Sequence, residues 1–410
     1  MEALIGEHGS HESLNKCVND YFDISIIKLE NRMFYSKLAV LSNPNLLFDI
    51  SKYLFYQINP NITHLCVLAS SGMAIGVALS LYSKLPLIFY RRLQWPKPES
   101  EGLGPKFLPS VPLDATVGIV DSHERTRYTS AVCYDELFGL YGINVSQMLA
   151  PISFDMCIDP NYNRSMTYSY LNYASEIINL KENKNSLKIS KDDLTLCFDQ
   201  SNFWLYPPLE KDPDPYKEFQ APGMSKSPKW FIGMGSDVSN FKKLNIDFSL
   251  SSYSFKTKDD EIWDFFLYPS LVEEFSKKAG KELNLNNYDY LVGVGHLGTA
   301  LSIALAFYNK ETFSGSIMMY LGGYGLIPKP DTLAGKRILP IEMRITTGVY
   351  AVDVFTLVRK YNGKIDKYLS VFLPPLSKKT VSFSAIAMKS RQTSIKKMKE
   401  HGVEFLHFFE

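Results

Sequence analysis

The stretch that most restricts the fold is an uncharged one, Leu65 to Ser83. It opens with an apolar run of strand length, Leu65 to Leu68, and the small residues of 69–72 follow. Met73 to Tyr82 then forms an apolar segment of helix length, and Leu85 to Tyr90 forms a second apolar run. A strand, a turn, a helix and a strand in this order are the unit from which parallel sheets with crossover helices are built. We therefore predict an α/β fold.

The turn of this unit is a candidate phosphate site. Ser71 and Gly72 are small enough for backbone N–H groups at the start of a helix to approach an anion, which the helix dipole also favours. A buried strand and helix without any ligand is the alternative, because most such turns only permit close packing. A membrane span needs about 20 apolar residues. Serine and glycine at positions 70–72, 76 and 80 dilute the hydrophobicity here, so we expect no membrane association.

The second half of the chain repeats the first at a nearly constant offset. Residues 43–52 (NPNLLFDISK) match 268–277 (YPSLVEEFSK), 76–84 (GVALSLYSK) match 302–310 (SIALAFYNK), and 116–121 (TVGIVD) match 337–342 (RILPIE). Such agreement predicts two structurally similar halves. A proline-rich stretch separates them and discourages helices and strand interiors. We therefore assign domain 1 to residues 1–160, an irregular connecting segment to 161–235 and domain 2 to 236–410.

The second half contains a second candidate phosphate site. An apolar strand ends on Glu342, and Thr346, Thr347 and Gly348 come where the next helix begins. Backbone N–H groups and two hydroxyls at a helix N-terminus suit a phosphate monoester. An acid one turn earlier can accept hydrogen bonds from sugar hydroxyls. The alternative is that Thr346 only caps the helix.

The order of these features resembles the type I phosphoribosyltransferase family, and its orotate-type branch most closely. In that family a strand, two acids and a Thr-Thr-Gly segment hold the ribose and 5-phosphate of phosphoribosyl pyrophosphate (PRPP). An earlier turn of small residues contacts the pyrophosphate, and a loop after a basic pair closes over it. The resemblance covers residues of about 35–150 and 245–375. It implies two tandem phosphoribosyltransferase-like domains, each a mostly parallel twisted sheet flanked by helices.

Carried over by position, the resemblance implies a set of site residues. They are Arg92, Lys97 and Lys106 for catalysis; Ser71, Gly72, Gly295, His296, Thr346, Thr347, Gly348 and Tyr350 for phosphate; and Asp121 and Glu342 for ribose. The second acid is replaced by Ser122 in the first half and by Met343 in the second, and Arg125, Thr126 and Arg127 replace Thr-Thr-Gly in the first half. No side chain is assigned to a metal. Magnesium is expected only as an ion that bridges oxygens of the substrate.

The two halves keep different parts of the motif set, which suggests one composite site. In this hypothesis loop 93–114 of the first half covers the phosphate loop 342–350 of the second, as subunits of orotate-type enzymes do for each other. The expected chemistry is that of a transferase, or more narrowly a glycosyltransferase, in which a nitrogenous base displaces pyrophosphate from the ribose. The alternative is a catalytically inactive pseudoenzyme that senses a nucleotide or interacts with a protein partner.

The net charge limits the classes of binding partner, and the cysteine content indicates the cellular compartment. The net charge is +1, which gives no electrostatic basis for general binding to nucleic acid. The five cysteines are scattered without a CxxC pair, which favours reduced thiols. The first residues are polar and acidic, unlike a signal peptide. We therefore expect a cytoplasmic protein.

Overall fold

The computed structural model describes residues 26–29, 32–35, 38–69, 72–91, 107–122, 128–151, 172–173, 242–248, 261–321, 325–328, 330–345, 348–372 and 395–409. The chain divides into two compact units. The first contains residues 1–92 and 110–205, and the second contains residues 93–109 and 206–410.

The first sheet has six strands in the order β5-β4-β3-β6-β7-β8, and β1 pairs antiparallel with β2 in a separate two-stranded sheet. The strands are β1 (Ile26–Leu29), β2 (Arg32–Tyr35), β3 (His64–Leu68), β4 (Leu87–Tyr90), β5 (Phe107–Leu108), β6 (Thr116–Val120), β7 (Asn144–Leu149) and β8 (Asn172–Tyr173). The helices are α1 (Pro44–Phe55), α2 (Met73–Ser83) and α3 (Tyr128–Tyr134), which continues as a π-helix over Asp135–Leu140. A 3-10 helix, Ala39–Ser42, precedes α1. Strands β4, β3, β6, β7 and β8 pair in parallel.

The second sheet has seven strands in the order β12-β11-β10-β13-β14-β15-β9. The strands are β9 (Lys242–Lys243), β10 (Tyr290–Val294), β11 (Ser316–Tyr320), β12 (Leu326–Ile327), β13 (Ile338–Arg344), β14 (Lys367–Phe372) and β15 (Glu404–His407). The helices are α4 (Pro269–Leu283), α5 (Gly295–Tyr308) and α6 (Val349–Lys360), with 3-10 helices at Glu261–Leu267 and Leu285–Asn287. A further helical segment covers residues 395–400. Only β12 runs antiparallel to its neighbour.

The repeat in the sequence corresponds to a repeat in topology. Five strands of the first sheet, β5-β4-β3-β6-β7, occur in the same chain order as β12-β11-β10-β13-β14 of the second. Leu68 is in register with Tyr90, and Val294 is in register with Tyr320, so the two tyrosines occupy equivalent strand ends. The predicted fold class, α/β with two tandem, mostly parallel sheets flanked by helices, is confirmed. Beyond the five strands that the two sheets share, β8 extends the first sheet and β15 and β9 extend the second. Strand β8 lies within the predicted connecting segment.

Helices α2 and α5 explain the uncharged stretches of the sequence. Nine consecutive residues of α2, from Met73 to Leu81, are buried, and so are those of α5 from Gly298 to Ala306. A helix buried on all sides needs an apolar sequence all round. Among the described residues, no helix has both the length and the hydrophobicity to cross a membrane.

Helix α1 shows how local sequence sets an element boundary. The side chain of Asn43 accepts a hydrogen bond from the N–H of Leu46 at 3.1 Å, and Pro44 occupies the first helical position. An asparagine cap followed by proline is a strong start signal because the cap satisfies a free N–H and proline presets the backbone. The helix therefore begins where its local sequence favours a start.

Candidate functional site

The second sheet has a topological switch point between β10 and β13. The chain leaves β10 through α5 to β11 on one side, and it leaves β13 through α6 to β14 on the other. In open parallel sheets, ligands bind in the crevice outside the carboxyl ends of the two strands at such a point. The first sheet has an equivalent point between β3 and β6.

Strand register brings the acidic residue of the second unit to this point. Glu342 of β13 pairs with Val294, the last residue of β10, and with Ser370 of β14. Val294 in turn pairs with Tyr320 of β11. Residues in register on parallel strands point to the same face of a sheet. Tyr320, Glu342 and Ser370 therefore share the face against which α6 packs, where Val294 and Tyr320 join Val354 of α6 in one core.

Glu342 is almost buried and is held by a tyrosine of the neighbouring strand. Its side chain is 9% exposed, and Tyr368 of β14, which is fully buried, donates a hydrogen bond from its hydroxyl to Oε2 at 2.6 Å. Burial first, and then the charge of Glu342, raise the pKa of Tyr368 well above its usual value. Tyr368 therefore stays a neutral donor to this carboxylate.

A second tyrosine and carboxylate pair lies on the same face. Tyr320 donates from its hydroxyl to Oδ2 of Asp353, on α6, at 2.7 Å. The ring of Tyr350, in the first turn of α6, meets the ring of Tyr320 edge to face with centroids 5.7 Å apart. These contacts fix the first turns of α6 against the end of β11.

Glycines shape the two turns at the switch point. Gly295 follows β10 with φ +69°, and a Cβ there would meet no atom within 4 Å. Gly348, the N-cap residue directly before α6, has φ +72°. Gly298 instead allows close packing, because a Cβ there would lie 2.3 Å from the carbonyl oxygen of Ile341. A side chain at Gly295 would thus start in unoccupied space, while at Gly298 helix α5 is packed tightly on β13.

The first unit builds the same edge with different side chains. A Cβ at Gly72 would lie 2.5 Å from the carbonyl oxygen of Val120, as at Gly298. Asp121 is 7% exposed, and its Oδ1 accepts the backbone N–H of Ser122 at 2.7 Å. In both units an acid therefore stands at the switch point, held by the next backbone N–H in the first and by Tyr368 in the second.

The predicted site residues fall into three groups. Gly295, His296, Glu342, Gly348 and Tyr350 lie at the carboxyl edge of the second sheet, and Gly72 and Asp121 lie at that of the first. The other predicted residues lie outside the described residues: Ser71, Arg92, Lys97, Lys106, Thr346 and Thr347.

The sequence did not single out Tyr320, Tyr368 or Asp353. Tyr320 could have been found, because aligning the ends of β4 and β11 places it on Tyr90. Tyr368 carries no such signal, since its contact with Glu342 depends on the register between β13 and β14.

A protein-built metal site is not found among the described residues, where no three His, Cys, Asp or Glu side chains come together to hold an ion. Asp121 and Glu342, the acids at the two strand ends, each accept a hydrogen bond.

The chain is similar to several solved structures. It resembles Leishmania donovani UMP synthase with 14% identity over 47% of this chain and 43% of that one, with a TM-score of 0.33. It resembles adenine phosphoribosyltransferase from Leishmania donovani with 16% identity over 45% of this chain and 92% of that one, with a TM-score of 0.32. For Mycobacterium tuberculosis H37Rv orotate phosphoribosyltransferase in complex with PRPP, the identity is 11%, the coverage 34% and 72%, and the TM-score 0.25.

Two of these three solved structures are phosphoribosyltransferases by name, and each of the three is less than 20% identical to the chain. The chain spans less than half of the UMP synthase that it matches. No protein-family model and no curated protein sequence matches the chain. The assignment of the α/β architecture stands on the strand order and registers described above.

Proposed function

We propose that the second unit binds a phosphoribosyl ligand, PRPP or a nucleotide, in the crevice between the ends of β10 and β13. The observation that carries this proposal is the register of Val294 with Glu342 at the switch point. It places a carboxylate beside the turn at Gly295, which is where open parallel sheets receive ligands. The resemblance to the phosphoribosyltransferase family supplies the class of ligand.

Each part of the site has a chemical role in this proposal. Glu342 accepts hydrogen bonds from ribose hydroxyls. The segment that ends at Gly348 offers backbone N–H groups and the hydroxyls of Thr346 and Thr347 to the 5-phosphate, whose charge the dipole of α6 favours. The turn at Gly295 and His296, with Tyr350, contributes further phosphate contacts. Magnesium enters as an ion bound by oxygens of the ligand.

Group transfer would complete the function of a phosphoribosyltransferase. The bond between the anomeric carbon of ribose and pyrophosphate would break as a nitrogen of a base forms the new bond. Arg92, Lys97 and Lys106 were assigned to the leaving pyrophosphate, and the composite site depends on their loop. These residues lie outside the described residues, so that assignment stays a prediction.

A second candidate function is supported by two substitutions at the edge of the sheets. Where the family has its second acid, this chain has Ser122 and Met343, and Met343 is 3% exposed. A buried methionine offers no hydrogen bond to a ribose hydroxyl and no oxygen to magnesium. This observation favours an inactive module of the same fold that senses a nucleotide or interacts with a protein partner.

Calorimetric titration of PRPP with magnesium tests the binding proposal. The chain should bind PRPP, and a Thr347→Ala, Gly348→Arg double variant should not, because it removes a hydroxyl and fills the start of α6. Gly335→Arg is the matched control. Gly335 also has a positive φ, +74°, with nothing within 4 Å of a Cβ, and it precedes the amino end of β13.

Each outcome decides between the candidates. Loss of binding in the double variant but not in Gly335→Arg would support the site at the second sheet. Absence of binding to the unmodified chain would refute the proposal. Binding without release of pyrophosphate in the presence of any of the common nucleobases would favour the inactive module.

A further inference from the structure

Strand β14 supports the end of β13 with two hydroxyl groups. Tyr368 donates to Oε2 of Glu342 at 2.6 Å. Ser370 accepts the backbone N–H of Ile345 at 2.9 Å and donates to the carbonyl oxygen of Phe372 at 2.9 Å. Ile345 directly precedes Thr346, so β14 holds both the acid and the start of the proposed phosphate loop.

The first unit lacks both of these hydroxyls. There Val120 of β6 is in register with Leu149 of β7, as Ile341 is with Leu369 in the second unit. The positions equivalent to Tyr368 and Ser370 are therefore Met148 and Ala150. Both are buried, and neither side chain can donate a hydrogen bond. The fold itself can thus be built without these two hydroxyls.

The pair of Tyr320 and Asp353, in contrast, has a counterpart in the first unit. Tyr320 bonds Asp353. Its equivalent Tyr90 also lies near a carboxylate, because burial first, and then nearby groups that include Glu136 of the helix after β6, raise the pKa of Tyr90. A pair that recurs in both units belongs to the common architecture. The contact between Tyr368 and Glu342 is specific to the second unit.

We infer that Tyr368 is a positioning residue that fixes the carboxylate of Glu342 to receive a ribose hydroxyl. This inference rests on the function proposed above. A glutamate side chain has three rotatable bonds, so holding it in one orientation costs conformational entropy. Without Tyr368, that cost would reduce the free energy of ligand binding. The buried phenol removes that cost before the ligand arrives, and because its ring is fully buried it has little freedom to move away.

If Tyr368 only stabilised the fold, its loss would weaken every ligand equally. A comparison of two ligands distinguishes that structural role from the positioning role. PRPP carries the ribose that Glu342 would contact, whereas inorganic pyrophosphate carries none. Tyr368→Phe keeps the ring and removes only the hydroxyl. It should weaken PRPP about tenfold, the equivalent of one hydrogen bond to a charged group, and leave the affinity for pyrophosphate unchanged. Tyr288→Phe is the matched control, because Tyr288 is also buried but lies just before the amino end of β10; it should change neither affinity.

A double-mutant cycle keeps the test valid if single variants are less stable. Glu342→Gln should also weaken PRPP, and adding Tyr368→Phe to it should cost less than a further twofold, since the phenol acts through the carboxylate. Equal loss for PRPP and pyrophosphate, or a full tenfold loss in the Glu342→Gln background, would overturn the positioning role while leaving the proposed function intact. If the unmodified chain does not bind PRPP, the proposed function fails, and this inference fails with it.

Discussion

Replacement of Gly298 by alanine should destabilise the second unit through one backbone contact. A Cβ at this position would lie 2.3 Å from the carbonyl oxygen of Ile341, and Cβ atoms essentially never approach another atom closer than 3.0 Å. Helix α5 and strand β13 would therefore have to separate by about 0.7 Å. The contact is made by the backbone, so no side chain can rotate away to relieve it.

The expected magnitude follows from two opposing effects. Alanine is about 1 kcal/mol more favourable than glycine inside a helix, and overpacking of a tight core costs about 1–3 kcal/mol. We expect a net loss of about 1 kcal/mol for Gly298→Ala. Gly139→Ala is the control because Gly139 is helical and a Cβ there would meet nothing within 4 Å. The free energy of unfolding should rise by up to about 1 kcal/mol in Gly139→Ala, so the effects of the two substitutions on it should differ by about 2 kcal/mol.

Urea unfolding followed by peptide-resolved hydrogen exchange measures this difference. A chain with two units need not unfold in one step, so a global signal would mix them. Peptides that cover β10 and α5 should become unprotected at lower urea in Gly298→Ala, while those of β3 and α2 should not change. The reasoning is refuted if Gly298→Ala is as stable as Gly139→Ala, or if both units lose stability equally.

Three further expectations concern the stability and reactivity of the chain. Asn43→Ala should cost about 1 kcal/mol in urea unfolding of the first unit because it removes the cap of α1. The N–H of Arg337 bonds Asp289 at 2.8 Å and is the main cause of its lowered pKa. This stabilisation is present above the pKa of Asp289 in the unfolded state and is lost as the pH falls through its lower pKa in the folded state. The free energy of unfolding should therefore fall less steeply below about pH 4 in Asp289→Asn than in the unmodified chain. Cys66 and Cys133 are buried with sulfurs 3.8 Å apart, and burial raises the pKa of Cys133. Both should resist iodoacetamide at pH 8 in the folded chain and react in denaturing urea, as mass spectrometry of the peptides would show; rapid labelling of the folded chain would contradict this.

Strong local patterns account for the elements that were predicted correctly. Asn43 and Pro44 mark the start of α1, and the apolar stretch from Met73 predicts a buried helix that the structure confirms. The match of 116–121 with 337–342 is also confirmed. Asp121 directly follows β6, and Glu342 is the last residue of β13 that pairs with β10. These features depend on neighbours in sequence or on repeated patterns, which a single sequence displays.

The short edge strands were not predicted. Strands β8 and β9 have two residues each and no alternating pattern of their own. They become strands because β7 and β15 offer free backbone hydrogen-bonding groups along their edges. Such pairing depends on the edge of a sheet being nearby in space, and the strand propensity of two residues does not contain that information.

The amino-acid sequence is sufficient to predict the α/β class, the tandem repeat and the strand ends at which acids stand, because the periodicity of apolar residues and the repeated motifs are properties of the chain. The group that holds each acid is known only from the folded structure. Asp121 is held by its own next residue and Glu342 by Tyr368, which is 26 residues away in sequence. That contact follows from the register of β14 on β13, and register is fixed by packing of the whole sheet against its helices.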